Sequence, residues 1–121
     1  MKTYICNAFS INMLKDGAYI QHADEAFIRI TRLEKDRARA LIHWLGLGAQ
    51  DLVPAIGHQD TARLVAQDLD VEDTWLYRRE TVQLGKGDRA LVAQYRGPRL
   101  PEGCTRLPEG ARIEYYLVQV L

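Results

Sequence analysis

Ala26-Phe27-Ile28-Arg29-Ile30-Thr31-Arg32-Leu33-Glu34-Lys35-Asp36-Arg37-Ala38-Arg39-Ala40-Leu41-Ile42-His43-Trp44-Leu45 is the stretch whose reading decides the fold. Its first five residues alternate partly between apolar and polar and read as a strand. Thr31-Arg32-Leu33-Glu34 then fits a capping box, in which Thr31 and Glu34 satisfy each other's free backbone donors and open a helix. That helix is expected to run to about Leu45 and to stop at Gly46 or Gly48. A strand passing directly into a helix places the chain among mixed α and β architectures.

Working outward, the next segment is Ala55-Ile56-Gly57-His58-Gln59-Asp60-Thr61-Ala62. A loop through Pro54 leads to His58, where a second amphipathic helix should begin, because Thr61 to Leu69 carries apolar residues at helical spacing. Lys2 to Cys6 is a strand candidate, followed by a polar loop from Asn7 to Asn12 and a turn at Asp16-Gly17. Thr81 to Leu84 and Arg89 to Tyr95 flank Gly85-Lys86-Gly87-Asp88, which signals a hairpin. Arg112 to Leu121 is a final strand rich in aromatic and β-branched residues. The expectation is α+β: one domain over residues 1–121, a mixed sheet of about five strands, and two main helices packed on it. One internal repeat stands out, Arg99-Leu100-Pro101-Glu102-Gly103 recurring as Arg106-Leu107-Pro108-Glu109-Gly110.

The chain's 121 residues are enough for a real core without disulfides or metals. Sixteen basic residues offset sixteen acidic ones. Bulk electrostatic capture of DNA or of an anionic membrane is therefore not expected, and no stable DNA complex is foreseen. A small anion in a local basic pocket is compatible with this balance. No segment is apolar enough for a bilayer span, and the start lacks a secretory core. Cys6 and Cys104 have no metal-ligand spacing and read as reduced thiols of a cytoplasmic protein. No zinc cluster and no glycine-rich phosphate loop is present, so neither a metal nor a cofactor is expected.

The residues able to carry chemistry are few. A helix start offers unpaired N–H groups and a positive dipole end, a natural place for phosphate. His58 stands there after Gly57, which gives the backbone freedom. A histidine beside a phosphodiester can protonate a departing oxygen; the plain alternative is a capping or surface histidine. Asn7, Ser10 and Asn12 offer donors and acceptors to base and ribose edges, although such residues also serve ordinary turns. Arg79 and Arg99 can grip phosphate oxygens bidentately, and Glu102 can orient or charge a histidine. An Arg99–Glu102 pair can equally be a surface ion pair of little energy. Together these groups form the inventory of a metal-independent phosphodiesterase acting on RNA, whose substrate supplies its own 2′-hydroxyl nucleophile.

Asn7-Ala8-Phe9-Ser10-Ile11-Asn12-Met13-Leu14, Ala55 to Ala62, Gly87-Asp88-Arg89-Ala90-Leu91-Val92 and Arg99 to Gly103 resemble, in order, the signature blocks of the viral ring nuclease family. Its members are anti-CRISPR proteins of type III systems and their bacterial relatives. The resemblance implies a homodimer that binds cyclic tetra-adenylate across its interface. It also implies cleavage without metal, which silences the effectors that this messenger activates. Residue by residue, His58 matches the catalytic histidine, and Arg99 and Glu102 match the site's arginine and glutamate. Asn7, Ser10 and Asn12 match the ligand-binding loop, joined by Gly57 and Arg79. Two other readings compete. A non-catalytic viral or plasmid protein that binds a nucleotide or nucleic acid would use the same loop and arginines and leave His58 idle. A purely structural domain would pair its final strand, Arg112 to Leu121, across a dimer edge.

Overall fold

The computed structural model describes residues 1–46 and 48–121. A single sheet holds five strands, β1 (Thr3–Cys6), β2 (Ile28–Leu33), β3 (Leu52–Pro54), β4 (Arg89–Arg96) and β5 (Arg112–Val120), in the order β2-β5-β4-β1-β3. β1 pairs in parallel with β3 and β4, and β5 pairs antiparallel with β4 and β2. Four strands thus run one way and only β5 opposes them. Two main helices, α1 (Lys35–Leu45) and α2 (Gln59–Leu69), and the short α3 (Asp73–Leu76) complete the fold. The expected α+β class, with one mixed five-stranded sheet and two main helices, is what the chain forms.

Strand alternation sorts the core into two layers. On one face, Ile5, Leu91, Ala93 and Tyr115 are buried under Ala38 and Ile42 of α1 and under Ala62, Val65, Ala66 and Leu69 of α2. On the other, Tyr4, Cys6, Ala90, Val92 and Val118 are covered by irregular segments through Ala18, Val82 and Leu84, with Phe9, Met13 and Tyr19 packed against them. Tyr115 donates its hydroxyl to Asp68 Oδ2 at 2.5 Å, and Arg39 donates to the Asp68 carbonyl at 2.9 Å, tying α1 and β5 to the end of α2.

Local expectations fail in four places, each for a tertiary reason. The capping box does not form: Thr31 and Leu33 belong to β2, which pairs with β5 as far as Leu33↔Tyr115, and Glu34 caps α1 without a side-chain hydrogen bond. The longer ladder outweighs a local cap. α1 does end at Leu45, where the Gly46 amide donates to the Ile42 carbonyl at 3.0 Å. The hairpin before β4 is also absent. Leu84 makes a parallel bridge to Leu14, with Lys15 N–H donating to the Leu84 carbonyl at 2.9 Å, and the strands beside β4 are β5 and β1.

Residues around Pro54, expected as loop, form the edge strand β3. Its proline is tolerated because Ala55 N–H makes the bond to the Ile5 carbonyl, at 2.8 Å, leaving Pro54's missing donor on the open side. Finally, β5 lies inside the sheet between β2 and β4, so it has no free edge to pair across a dimer. That removes the basis of the purely structural reading.

Candidate functional site

β1, β2, β3 and β4 all end at the same rim of the sheet, and their exits carry most of the candidate residues. β1 leads into Asn7 to Asn12, β3 into Gly57-His58, and β4 into Gly97 to Glu102. In open sheets with parallel strands, ligands bind in the crevice beyond the carboxyl ends of the strands, where the exits can diverge to make room.

His58 is the N-cap of α2. Its backbone is extended, and its carbonyl accepts the Ala62 amide at 2.9 Å, the first bond of the helix. Its side chain makes no capping bond and is exposed to solvent. Two cavities meet at this imidazole. The larger, about 900 Å³, is lined by His58, Asp60, Thr61, Tyr95, Gly97, Arg99, Leu100, Pro101 and Glu102. The smaller, about 380 Å³, is lined by Gly57, His58, Gln59, Asp60, Arg63, Tyr77, Arg79, Glu102 and Gly103. His58, Glu102 and Asp60 line both, so they form the ridge between a cavity bearing Arg99 and a cavity bearing Arg79. Arg79 reaches this position because Arg78 N–H donates to the Ile56 carbonyl at 3.0 Å, setting the segment beside Gly57.

Five of the eight residues singled out from the sequence therefore converge: Gly57, His58, Arg79, Arg99 and Glu102. Asn7, Ser10 and Asn12 share the rim but line neither cavity. Ser10 Oγ accepts the Asn12 amide at 3.2 Å and caps the 3-10 turn Ile11–Met13, which is ordinary turn chemistry. Gly57 differs from expectation in one respect: it is not among the residues with positive φ, and a Cβ there would sit 3.6 Å from Arg79 Cγ, an ordinary contact.

Sequence reading missed Asp60 and Tyr95. An acidic residue in a helix's first turn reads as a complement to the dipole. Only the fold reveals that Asp60 Oδ2 accepts the Gly103 amide at 3.1 Å. Tyr95 follows Leu91 and Ala93 on the helix-covered face of β4, and its hydroxyl donates to the Pro98 carbonyl at 2.5 Å. Strand alternation past Ala93 was the available signal.

The two thiols stand apart from the cavities' chemistry. Burial pushes the Cys6 thiol up to about 11, and its Sγ donates to the Ala8 carbonyl at 3.3 Å. Among the described residues no group of three or more His, Cys, Asp or Glu is placed to hold a metal ion. No described helix is long and apolar enough to cross a membrane.

A family model described as STIV B116-like matches residues 3–117. Among solved structures, B116 of Sulfolobus turreted icosahedral virus is similar to this chain with a TM-score of 0.76 and 28% identity, over 98% of this chain and 99% of that one. No curated protein matches.

Proposed function

The chain belongs to the STIV B116-like family, and with that membership as premise we propose that it is a metal-independent ring nuclease that opens cyclic tetra-adenylate. The observation that carries this reading is the ridge of His58 and Glu102 between two cavities, each with its own arginine. A phosphodiester lying across that ridge meets a proton donor at its centre and guanidinium groups on both sides. The sequence blocks that resemble viral ring nucleases supply His58, Arg99 and Glu102, which favours a cyclic oligoadenylate over other phosphodiesters.

In the proposed reaction a ribose 2′-hydroxyl attacks its own 3′-phosphorus in line and gives its proton to solvent, while the P–O5′ bond breaks and the 5′-oxygen departs with a proton from His58, which solvent then restores. Linear adenylates ending in 2′,3′-cyclic phosphate result. The nucleophile belongs to the substrate, so the step needs no metal-generated hydroxide. Acceleration comes from holding the ribose in the in-line conformer and from placing Arg99 and Arg79 where charge grows on the phosphorane. Glu102 orients the imidazole.

A fourfold-repeating ring suits a twofold site. A homodimer would present two His58 residues to one ligand, and Asn7, Ser10 and Asn12, on the same rim but outside the cavities, would contact the part of the ring that lies beyond them.

The test is incubation of the purified protein with cyclic tetra-adenylate in EDTA, with products resolved by chromatography and His58→Ala run alongside. Conversion to linear cyclic-phosphate-ended products by the wild type only supports the proposal. An intact ring that co-migrates with the protein refutes cleavage and favours the binding protein.

A further inference from the structure

One side of α2 is bonded to the connection between β4 and β5 at three successive stations. Asp60 Oδ2 accepts Gly103 N–H at 3.1 Å, Arg63 Nη1 donates to the Cys104 carbonyl at 3.1 Å, and Gln67 Nε2 donates to the Thr105 carbonyl at 2.8 Å. The spacing i, i+3, i+7 keeps these side chains on one helix face, and their partners are consecutive backbone groups. Arg63 also lies 3.4 Å from Asp60 Oδ1, so both oxygens of that carboxylate are engaged. The residue preceding the first station is Glu102, and the residue preceding α2 is His58. One helix therefore sets the distance between the two groups that share the ridge.

We infer that Asp60 is a positioning residue, which fixes Glu102 against His58 by holding the Gly103 amide; this rests on the nuclease reading above. Asp60 itself needs no contact with the substrate. Its effect is transmitted through the Pro101-Glu102-Gly103-Cys104 turn, closed by Cys104 N–H donating to the Pro101 carbonyl at 3.2 Å. A turn held at one end by a charged acceptor and at the other by its own bond has little freedom to carry Glu102 away.

The experiment compares wild type, Asp60→Asn, Asp60→Ala and Asp60→Ser in single-turnover cleavage of cyclic tetra-adenylate, with amide exchange at Gly103 followed by NMR. Asn keeps an acceptor at the required reach; Ser suits a first helical turn but is too short, and it replaces Ala if Ala does not fold. Gly103 exchange is expected to stay slow in the wild type and in Asp60→Asn and to accelerate in Asp60→Ala and Asp60→Ser. Cleavage should fall by up to about 100-fold in the latter pair, the scale of an ångström's misplacement, and be retained in Asp60→Asn. In a Glu102→Ala background, removing Asp60 should cost no further activity beyond about twofold. Unchanged Gly103 exchange in the short variants, or losses that multiply in the double variant, would overturn the inference. A wild type that fails to cleave the ring refutes the nuclease reading instead, and Gly103 exchange alone then decides whether Asp60 holds the turn.

Discussion

Gly97→Ala should be the most damaging small substitution at the site. Gly97 has φ of +156°, in the region that favours glycine. A Cβ built there lies 2.7 Å from Ala111 Cβ, 3.0 Å from Ala111 Cα and 2.9 Å from Tyr95 Oη. Ordinary carbon contacts begin near 3.5 Å, so at least one neighbour must retreat. Ala111 is poorly able to do so, because β5 begins at the next residue, in the Arg96↔Arg112 pair of the β4–β5 ladder. Tyr95 can turn away only by giving up its bond to the Pro98 carbonyl. Overpacking of this kind costs about 1–3 kcal/mol, and holding alanine at such a φ costs roughly another 1–3 kcal/mol. The expected loss is therefore about 2–6 kcal/mol, a large part of the roughly 5–15 kcal/mol that keeps a domain folded. Urea unfolding followed by far-ultraviolet circular dichroism measures it as a lowered midpoint at unchanged slope. Gly57→Ala is the control: its added Cβ meets nothing nearer than 3.6 Å and its φ is not positive, so its stability should stay within about 1 kcal/mol of wild type. Equal midpoints for Gly97→Ala and Gly57→Ala would refute the strain argument.

Two further outcomes follow from charge and burial. Glu114 accepts from Arg96 at 2.7 Å and has Arg112 at 3.6 Å, and the Arg96 hydrogen bond above all holds its carboxyl below the usual range. A depressed folded-state value gives stability that is present above the unfolded value, about 4.3, and is lost as pH falls through the folded one. Glu114→Gln should then melt below wild type at pH 7, with the gap closing in increasingly acid buffer; a gap that persists in strong acid contradicts the ion-pair account. Cys6 is buried with its thiol raised to about 11, whereas Cys104 is half-exposed. A thiol reagent at pH 8 should modify Cys104 rapidly and Cys6 only on unfolding, and a fast native phase that survives Cys104→Ser would show that β1 opens.

What could be seen in the sequence depended on how local its cause was. α2 and β5 were legible because apolar spacing and β-branched content are properties of the segment itself. The start of α1 was not: Thr31-Arg32-Leu33-Glu34 satisfies every local rule for a cap, yet β5 offers β2 a ladder that continues to Leu33. Gly85-Lys86-Gly87-Asp88 does turn the chain, with the Gly85 amide donating to Asp88 Oδ2 at 2.9 Å. However, its flanks pair elsewhere, Leu84 with Leu14 and β4 with β5 and β1. Composition marks a turn without naming the strands it joins. The site behaved in the same way: His58, Arg79, Arg99 and Glu102 could be named one at a time, but their meeting depends on parallel strands that bring distant exits to one rim. Asp60 was invisible because its partner is a backbone amide, which leaves no mark in the side-chain sequence.

The duplicated pentapeptide separates chemistry from placement most sharply. Both copies build the same turn: Cys104 N–H donates to the Pro101 carbonyl at 3.2 Å and Ala111 N–H to the Pro108 carbonyl at 3.0 Å, with Gly103 and Gly110 at φ of +76° and +79°. A turn with positive φ at its third residue favours glycine there, which explains why Pro-Glu-Gly recurs. Only the first copy is bonded through its glycine amide to Asp60, and only its arginine and glutamate line the cavities at His58. Arg106 and Glu109 are exposed and line neither cavity. Under the proposed function, Glu102→Gln should slow single-turnover cleavage by about 10-fold or more, less than the roughly 100-fold or greater loss expected of the group that transfers the proton, because Glu102 only orients the imidazole. Glu109→Gln should leave both cleavage and ring binding at wild-type levels. Comparable losses from the two substitutions would mean that the second turn also reaches the ligand, and that the ridge at His58 is only part of the site.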